Sequence, residues 1–212
     1  MTIDLLTYER DLYQKGYTLI AGVDEVGRGP LVGPVVAACV ILPQNYILEG
    51  LTDSKKLSEK KRNLFFDIIM HDAVSVGIGI VDSQVIDQIN IYQASKLAMI
   101  KAIENLSVKP EYILTDAMPL EIGIPTISII HGDALSLSIA AGSVIAKVTR
   151  DKMMIELDAL YPEYGFKKHK GYPTKEHLEN VKRFGVLNNY RFTYKPIRDL
   201  ILKNESSDKI EK

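Results

Sequence analysis

Two adjacent carboxylates, Asp24 and Glu25, come directly after a short apolar run, residues 19–23, and before Gly27-Arg28-Gly29. Like charges repel one another and lose hydration when partly buried, so this pair is unfavourable at a strand end unless a cation binds there. Neighbouring strand residues point to opposite faces, and the glycines that follow would permit the bend that brings both carboxylates to one site. An acidic turn is the simpler interpretation of these two residues taken alone.

Two further aspartates follow predicted strands: Asp116 comes after residues 112–115, and Asp133 comes after residues 126–130. In an open α/β sheet the functional crevice lies beyond the carboxyl ends of parallel strands, where these side chains are expected. Asp133 has a second interpretation, because aspartate is also a favoured helix N-cap. Four carboxylates without a cysteine or histidine cluster favour Mg²⁺ or Mn²⁺ over zinc. Two such ions can activate water against a phosphodiester, so the set indicates phosphoryl chemistry.

The glycines of residues 27–33 resemble a dinucleotide-binding fingerprint, but the third glycine is one place late and prolines occupy the expected helix start. We therefore predict a different contact, in which the backbone of Gly27, Arg28 and Gly29 approaches a sugar-phosphate chain. Lys55 is a predicted phosphate contact, with a solvated lysine in a loop as the alternative.

Residues 164–177 combine four lysines with tyrosine and phenylalanine, a composition that suits binding of sugars, bases and phosphates. A solvated loop is the alternative interpretation. Within this segment Tyr172 stands between Gly171 and Pro173, which favours an exposed turn, although a buried tyrosine fits the pattern nearly as well.

The elements that must position these residues follow from hydrophobic periodicity. Strands are predicted at residues 19–23, 35–42, 73–81, 112–115 and 126–130, and helices at 59–70, 84–106, 134–160 and from about Thr174. Three strands followed by strand–helix–strand alternation predict an α/β fold with a mixed sheet and helices on its faces. The composition changes after Pro162, so we predict a catalytic domain at residues 1–162 and a helical, substrate-binding appendage with a charged tail at 163–212.

The composition excludes several classes of protein. With 212 residues, 46% hydrophobic residues and a formal charge of -1, the chain is neither disordered nor a globally basic nucleic-acid coat. A single cysteine, Cys39, rules out an intrachain disulfide and fits a reducing compartment. The uncharged stretch 29–48 is interrupted by glycines and prolines, which favours a buried strand over a membrane helix. The first sixteen residues lack an apolar secretory segment. We therefore expect a cytoplasmic protein.

Five motifs together resemble those of bacterial ribonuclease HII, in order along residues 19–184. They are Asp24-Glu25-Val26-Gly27-Arg28-Gly29, Asp53-Ser54-Lys55-Lys56-Leu57, Gly132-Asp133-Ala134, the helix at 138–151, and the segment from Tyr164-Gly165-Phe166 to His169-Lys170-Gly171-Tyr172. The resemblance implies a ribonuclease H-like fold with a five-stranded mixed sheet. It also implies an endonuclease that cuts the RNA strand of RNA–DNA hybrids and nicks 5′ of single ribonucleotides in duplex DNA, leaving 3′-hydroxyl and 5′-phosphate ends.

The resemblance also implies roles for individual residues. Two Mn²⁺ or Mg²⁺ ions would be held by Asp24, Glu25, Asp116 and Asp133. Gly27, Arg28 and Gly29 would contact the ribose 2′-hydroxyl, which distinguishes RNA from DNA, and Tyr172 would stack on the following deoxyribose. One departure is Ala117, where many members of the family have glycine after the aspartate.

The implied partners are RNA–DNA hybrid and ribonucleotide-containing duplex DNA, and the implied cellular roles are removal of ribonucleotides and RNA primers. We expect a monomer, and the tail at 199–212 has no aromatic-ended motif that would support a sliding-clamp contact. Two alternatives stay open. One is a nuclease of the same fold without junction specificity, such as a ribonuclease HIII-like enzyme or a junction resolvase, and the other is a noncatalytic hybrid-binding module.

Overall fold

A five-stranded mixed sheet, as the sequence predicts, forms the centre of the computed structural model, which describes residues 4–51 and 54–208. Its strands are β1 (Ile20–Val26), β2 (Val35–Ile41), β3 (Ser75–Val81), β4 (Tyr112–Asp116) and β5 (Thr126–Ile129), in the order β3-β2-β1-β4-β5. Strand β1 pairs antiparallel with β2 and parallel with β4, which in turn pairs parallel with β5. Because β1, β4 and β5 run in one direction, their carboxyl ends lie at the same end of the sheet.

Seven α-helices occur within the described residues. They are α1 (Thr7–Gln14), α2 (Glu59–Asp72), α3 (Ser83–Glu104), α4 (Leu137–Leu160), α5 (Phe166–His169), α6 (Lys175–Phe184) and α7 (Lys195–Asp208). Helix α3 is kinked at Asn90, whose φ of 64° and ψ of 164° are not helical. The last residues of the charged tail, 209–212, lie outside the described part of the chain. Within that part, none of the helices has the length and apolar character needed to span a bilayer.

Two boundaries differ from the sequence prediction near the acidic residues. Strand β1 continues to Val26, so Asp24 and Glu25 lie within the strand, where they pair with Ala38 and Ala37 of β2. The helix predicted from residue 134 begins at Leu137, after a single 3-10 turn at Gly132–Ala134. Helix α1 was not predicted, because one of its two buried side chains is a carboxylate, which a hydrophobic pattern assigns to solvent.

The described chain divides into two compact units, each built from several segments. The first unit comprises Met1–Val26, Val36–Ile80 and Ser95–Thr149, as far as these are described, and the second comprises Gly27–Val35, Val81–Ala94 and Arg150–Lys212. In the first unit the start of α4 packs directly on β1. A Cβ atom at Gly22 would lie only 2.1 Å from the carbonyl carbon of Ser138, so no larger residue fits there without displacing the helix.

The core of the second unit is rich in aromatic side chains. Tyr164 stacks on Phe166 with ring centroids 5.2 Å apart, and Phe166 contacts His177 edge-on at 5.7 Å. The buried hydrophobic members of this core are Leu31, Val32, Met154, Leu157, Tyr164, Phe166, Val181, Tyr190 and Ile197. The segment 164–177, which could have been a solvated loop, therefore contributes side chains to a packed core and is fixed in position by it.

Candidate active site

Three of the four predicted metal ligands come together at the carboxyl ends of the parallel strands. Asp24 lies in β1, Asp116 is the last residue of β4, and Asp133 lies in the turn that follows β5. One carboxylate oxygen from each lies within 4.8 Å of the others, and Asp24 and Asp133 are only 4% and 5% exposed. Three buried or half-buried oxygen donors at this spacing fit a hard divalent cation.

Glu25 lies outside this group of three carboxylates, although it is next to Asp24 in the strand and is half-buried. Its negative charge still acts on Asp24, where it is the largest cause of the raised pKa after burial. The role of Glu25 as a fourth ligand stays a prediction.

The pKa of Asp24 is raised well above its ordinary value. Burial is the main cause, and the negative charges of Glu25, Asp116 and Asp133 raise it further, whereas a hydrogen bond from the Ser143 side chain lowers it. Each of these charges destabilises the others in the absence of a counter-charge. A bound cation would reverse that effect, so the electrostatics of the group favour metal binding.

Asp116 is held in place by β5 and by the turn that follows it. The backbone N–H of Gly132 donates a 2.7 Å hydrogen bond to its Oδ1, and the N–H of Ala117 donates to the carbonyl of Ile129 at 2.9 Å.

Asp133 is not the N-cap of α4, although the sequence allowed that interpretation. The cap is Ser136, whose Oγ accepts the N–H of Ile139 at 3.2 Å, so Asp133 is left to face the other carboxylates.

Lys55 supplies positive charge beside this group, with its Nζ 3.9 Å from Oδ2 of Asp133 and its side chain 74% exposed. Three hydrogen bonds fix the loop that carries it. The hydroxyls of Ser54 and Ser143 are 2.8 Å apart, and Arg62 donates to the carbonyls of Ser54 and Leu57. Asp53, from the same motif, lies outside the described residues.

In the second unit, Gly27, Arg28 and Gly29 belong to a loop whose backbone is bound by the buried guanidinium of Arg191. Arg191 donates to the carbonyls of Gly27 at 2.6 Å, of Arg28 at 2.9 Å and of Gly33 at 2.9 Å. Burial lowers the pKa of Arg191. Since carbonyl groups accept these bonds, the arginine fixes the loop without being neutralised.

A second buried arginine, Arg150, joins this loop to the segment before Tyr172. It donates to the carbonyls of Pro34 and Val32 and, at 3.0 Å, to that of Lys170. Burial, followed by the charge of Arg191, lowers the pKa of Arg150 to about 10, so it stays protonated at neutral pH. Sequence reasoning missed both arginines. Their sequence context gives little signal, because Arg150 stands beside Asp151 and Lys152 in α4, and only Arg191 is a lone charge, between Tyr190 and Phe192.

Tyr172 is 42% exposed, so the packed-core interpretation of this residue is wrong. A Cβ atom added to Gly29 would lie 3.4 Å from Cε1 of Tyr172, which places the exposed ring directly against this glycine. The structure therefore brings together two residues that the sequence separately assigned to substrate.

The fold and the acidic group at the ends of β1, β4 and the turn after β5 define a ribonuclease H-type endonuclease. The crystal structure of ribonuclease H2 from Pyrococcus horikoshii OT3 is similar, with a TM-score of 0.73 and 26% identity over 85% of this chain and 96% of that one. Ribonuclease HII in its PCNA complex from Archaeoglobus fulgidus has a TM-score of 0.72 and 25% identity over 83% of this chain and 95% of that one.

Residues 21–196 match the family model for Ribonuclease HII. Ribonuclease HII from Bacillus cytotoxicus is 57% identical over 199 residues, which are 94% of this chain and 77% of that protein. The chain belongs to the ribonuclease HII family.

Proposed function

We propose that this protein hydrolyses the phosphodiester bond on the 5′ side of a ribonucleotide, leaving a 3′-hydroxyl and a 5′-phosphate. Its substrates would be the RNA strand of RNA–DNA hybrids and single ribonucleotides in duplex DNA. The observation that carries the proposal is the convergence of Asp24, Asp116 and Asp133 within 4.8 Å at one end of the sheet. A protein that only bound a polyanion would gain nothing from collecting negative charge there, which argues against a noncatalytic binding module.

Asp24, Asp116 and Asp133, with Glu25, would hold two Mg²⁺ or Mn²⁺ ions. When bound, such ions supply an activated water and stabilise the charge on the leaving oxygen. The protein orients the ligands through the bond from Gly132 to Asp116 and the contact of Ser143 with Asp24. Lys55, beside Asp133, would attract phosphate into a region that is otherwise negative. Because the carboxylates repel phosphate, metal and substrate binding should strengthen one another.

Choice of RNA over DNA would come from the loop of Gly27, Arg28 and Gly29. Its small residues permit a sugar to approach the backbone closely, and a 2′-hydroxyl can then hydrogen bond with that backbone. Tyr172, exposed and beside Gly29, would stack on the adjoining deoxyribose. On this assignment the enzyme recognises an RNA-to-DNA junction, unlike a ribonuclease HIII-like nuclease.

Residues 163–212 would bind the duplex beyond the cut, and the protein would act as a cytoplasmic monomer in the removal of ribonucleotides and RNA primers. The tail at 199–212 gives no support for a sliding-clamp contact of the kind that the Archaeoglobus fulgidus complex has with PCNA.

The test uses a labelled DNA duplex that contains one ribonucleotide, with Mg²⁺, Mn²⁺ or chelator, and an all-DNA duplex as the control substrate. Wild type should nick only the first duplex and only with metal, and Asp24→Asn should lose more than about 100-fold in rate because a ligand is removed. Binding of the duplex without any nicking under these conditions would instead support the binding module.

Junction specificity is tested by Tyr172→Ala against Tyr92→Ala, since the two tyrosines are 42% and 41% exposed. Tyr172→Ala should lose single-ribonucleotide nicking at least about tenfold more than cutting of a long hybrid, because base or sugar stacking contributes about 1–3 kcal/mol. Tyr92→Ala should leave both rates unchanged. Equal losses on the two substrates with Tyr172→Ala would favour the ribonuclease HIII-like alternative.

A further inference from the structure

A buried carboxylate lies outside the segment that matches the family model. Glu9 is in α1, whereas the match begins at residue 21, and it is only 1% exposed. Its Oε1 accepts two hydrogen bonds from the start of α4, one from Oγ of Ser136 at 2.7 Å and one from the N–H of Ser138 at 3.0 Å. Glu9 thus connects α1 to the amino end of the longest helix among the described residues.

The first four N–H groups of any α-helix lack partners within the helix. In α4 the N–H of Leu137 donates to the carbonyl of Leu5 at 2.8 Å, and that of Ser138 donates to Glu9. The next, that of Ile139, donates to Oγ of Ser136. Residues 5–9 therefore supply two of the three acceptors at this helix end, and the negative charge of Glu9 also complements the positive end of the helix dipole.

The same hydrogen bonds continue into the metal site. The N–H groups of Leu135 and Ser136 both donate to the carbonyl of Gly132, at 3.0 and 2.8 Å. The N–H of Gly132 in turn donates to Oδ1 of Asp116. Asp133 lies inside this short turn, between Gly132, which is tied to one proposed ligand, and Ser136, which is tied to Glu9.

We propose that Glu9 is a positioning residue for the metal site, which fixes the turn at residues 132–136 and thereby the carboxylates of Asp133 and Asp116. The inference rests on the proposed function, since it assigns a role towards the proposed metal ligands. A residue present only to stabilise the fold would not be expected to bury an unpartnered carboxylate oxygen, as Glu9 does within the described part of the chain. The second oxygen of Glu9, Oε2, is buried and has no hydrogen-bond partner among the described residues, and such an oxygen destabilises the fold.

The test compares three variants of the full chain: Glu9→Ala, Glu9→Gln and Leu12→Ala. Leu12 is the other buried residue of α1, so its truncation weakens the packing of that helix and leaves the hydrogen bonds of Glu9 in place. The readouts are Mn²⁺ affinity by calorimetry without nucleic acid, thermal unfolding in chelator, and the Mn²⁺ concentration that gives half-maximal nicking.

Glu9→Ala should weaken Mn²⁺ binding about tenfold, which is the low end of the effect expected when a group that orients metal ligands is lost. The Mn²⁺ concentration that gives half-maximal nicking should rise by the same factor. Its rate at saturating Mn²⁺ should change less than about threefold, because no ligand is removed. Glu9→Gln keeps a carbonyl oxygen for both donors and should bind Mn²⁺ within about threefold of wild type. Leu12→Ala should lose thermal stability and keep wild-type Mn²⁺ affinity.

Equal Mn²⁺ affinities in Glu9→Ala and Leu12→Ala would overturn the inference and leave Glu9 as a packing residue of α1. Should Glu9→Ala fail to fold, Ser136→Ala removes the hydroxyl link and should weaken Mn²⁺ binding in the same direction. Wild-type affinity in that variant would also overturn the inference. Failure of wild type itself to bind Mn²⁺ or to nick would instead overturn the proposed metal site, and the role of Glu9 with it.

Discussion

Gly132 and Asp116 are joined by a 2.7 Å hydrogen bond from the backbone N–H of the glycine to Oδ1 of the aspartate. A charge-assisted bond of this kind is shorter and stronger than one between neutral groups. It fixes one proposed ligand through the turn that carries another, Asp133. The geometry of the acidic group is therefore determined by the backbone after β5 as well as by the strands.

Replacing Asp24 should stabilise the metal-free protein. The fold raises the pKa of Asp24, so ionisation of this carboxyl group destabilises the folded protein. The destabilisation begins as the pH rises above the unfolded pKa, about 3.9, and is complete only above the folded pKa. In chelator, Asp24→Asn should therefore unfold at a higher temperature than wild type at pH 8, with a smaller difference at pH 4. Circular dichroism melts at both pH values measure this.

Added Mn²⁺ provides the matching control for that variant. It should raise the unfolding temperature of wild type, because a ligand that binds only the folded state stabilises it, and should have little effect on Asp24→Asn. A variant less stable than wild type at pH 8 in chelator would contradict the charge repulsion described for this group.

Ala117→Gly should stabilise the protein by about 0.5–1 kcal/mol. Ala117 has a φ of 49°, in the left-handed region that costs alanine about 1–2 kcal/mol and that glycine adopts without strain. Part of this stabilisation is offset, because glycine also increases the conformational entropy of the unfolded chain. Urea unfolding measures the change. Ala73→Gly, at a φ of -65°, is the control and should destabilise. Loss of stability in both variants would mean that the exit of β4 is not strained.

Acid should destabilise the protein through two buried histidines in the second unit. Nδ1 of His177 donates to the carbonyl of Tyr172, and Nε2 lies 2.7 Å from the hydroxyl of Tyr190, which donates to it when the ring is neutral. Burial lowers its pKa to about 4 and also lowers that of His169, which stacks on it with centroids 4.1 Å apart.

Because both folded pKa values lie below the unfolded one, this stability is complete above about pH 6.5 and is lost as the pH falls towards 4, by up to about 3 kcal/mol for His177. Urea unfolding followed by tyrosine fluorescence at pH 7 and pH 5 measures the loss. His177→Gln should flatten this dependence, whereas His71→Gln, at a side chain 87% exposed, should not. An unchanged slope in His177→Gln would refute the assignment.

Tyr194→Phe should weaken junction recognition with little loss of stability. The Tyr194 hydroxyl donates to the carbonyl of Arg28 at 2.7 Å and accepts from Arg191 at 3.0 Å. Its removal should cost about 1 kcal/mol of stability and lower single-ribonucleotide nicking about fivefold, with a smaller effect on long hybrids. Parallel assays of the two substrates measure this, with Tyr161→Phe as the control. Equal rates in wild type and Tyr194→Phe would show that this contact does not orient the loop.

The sequence predicted all five strands, because runs of valine and isoleucine with turn residues between them are a strong local signal. Asp116 and Asp133 were correctly expected near the strand ends. The position of Glu25 was less predictable, because the length of β1 depends on its pairing with Ala37 and Ala38 of β2, which no local pattern shows. Glu9, Arg150 and Arg191 were missed for one common reason. Each is a charged residue that the fold buries, with partners distant in sequence.

The contacts of α1 bear on how this protein can be shortened. A chain trimmed to start at residue 21, where the family match begins, would lack Leu5 and Glu9 and so remove the acceptors for two N–H groups at the start of α4. Such a chain would keep every carboxylate proposed to hold metal. The turn that carries Asp133 would nevertheless lose the hydrogen bonds that Glu9 accepts from Ser136 and Ser138. On the role proposed for Glu9, truncations at the amino terminus should weaken metal binding, although they lie more than a hundred residues from Asp133 in sequence.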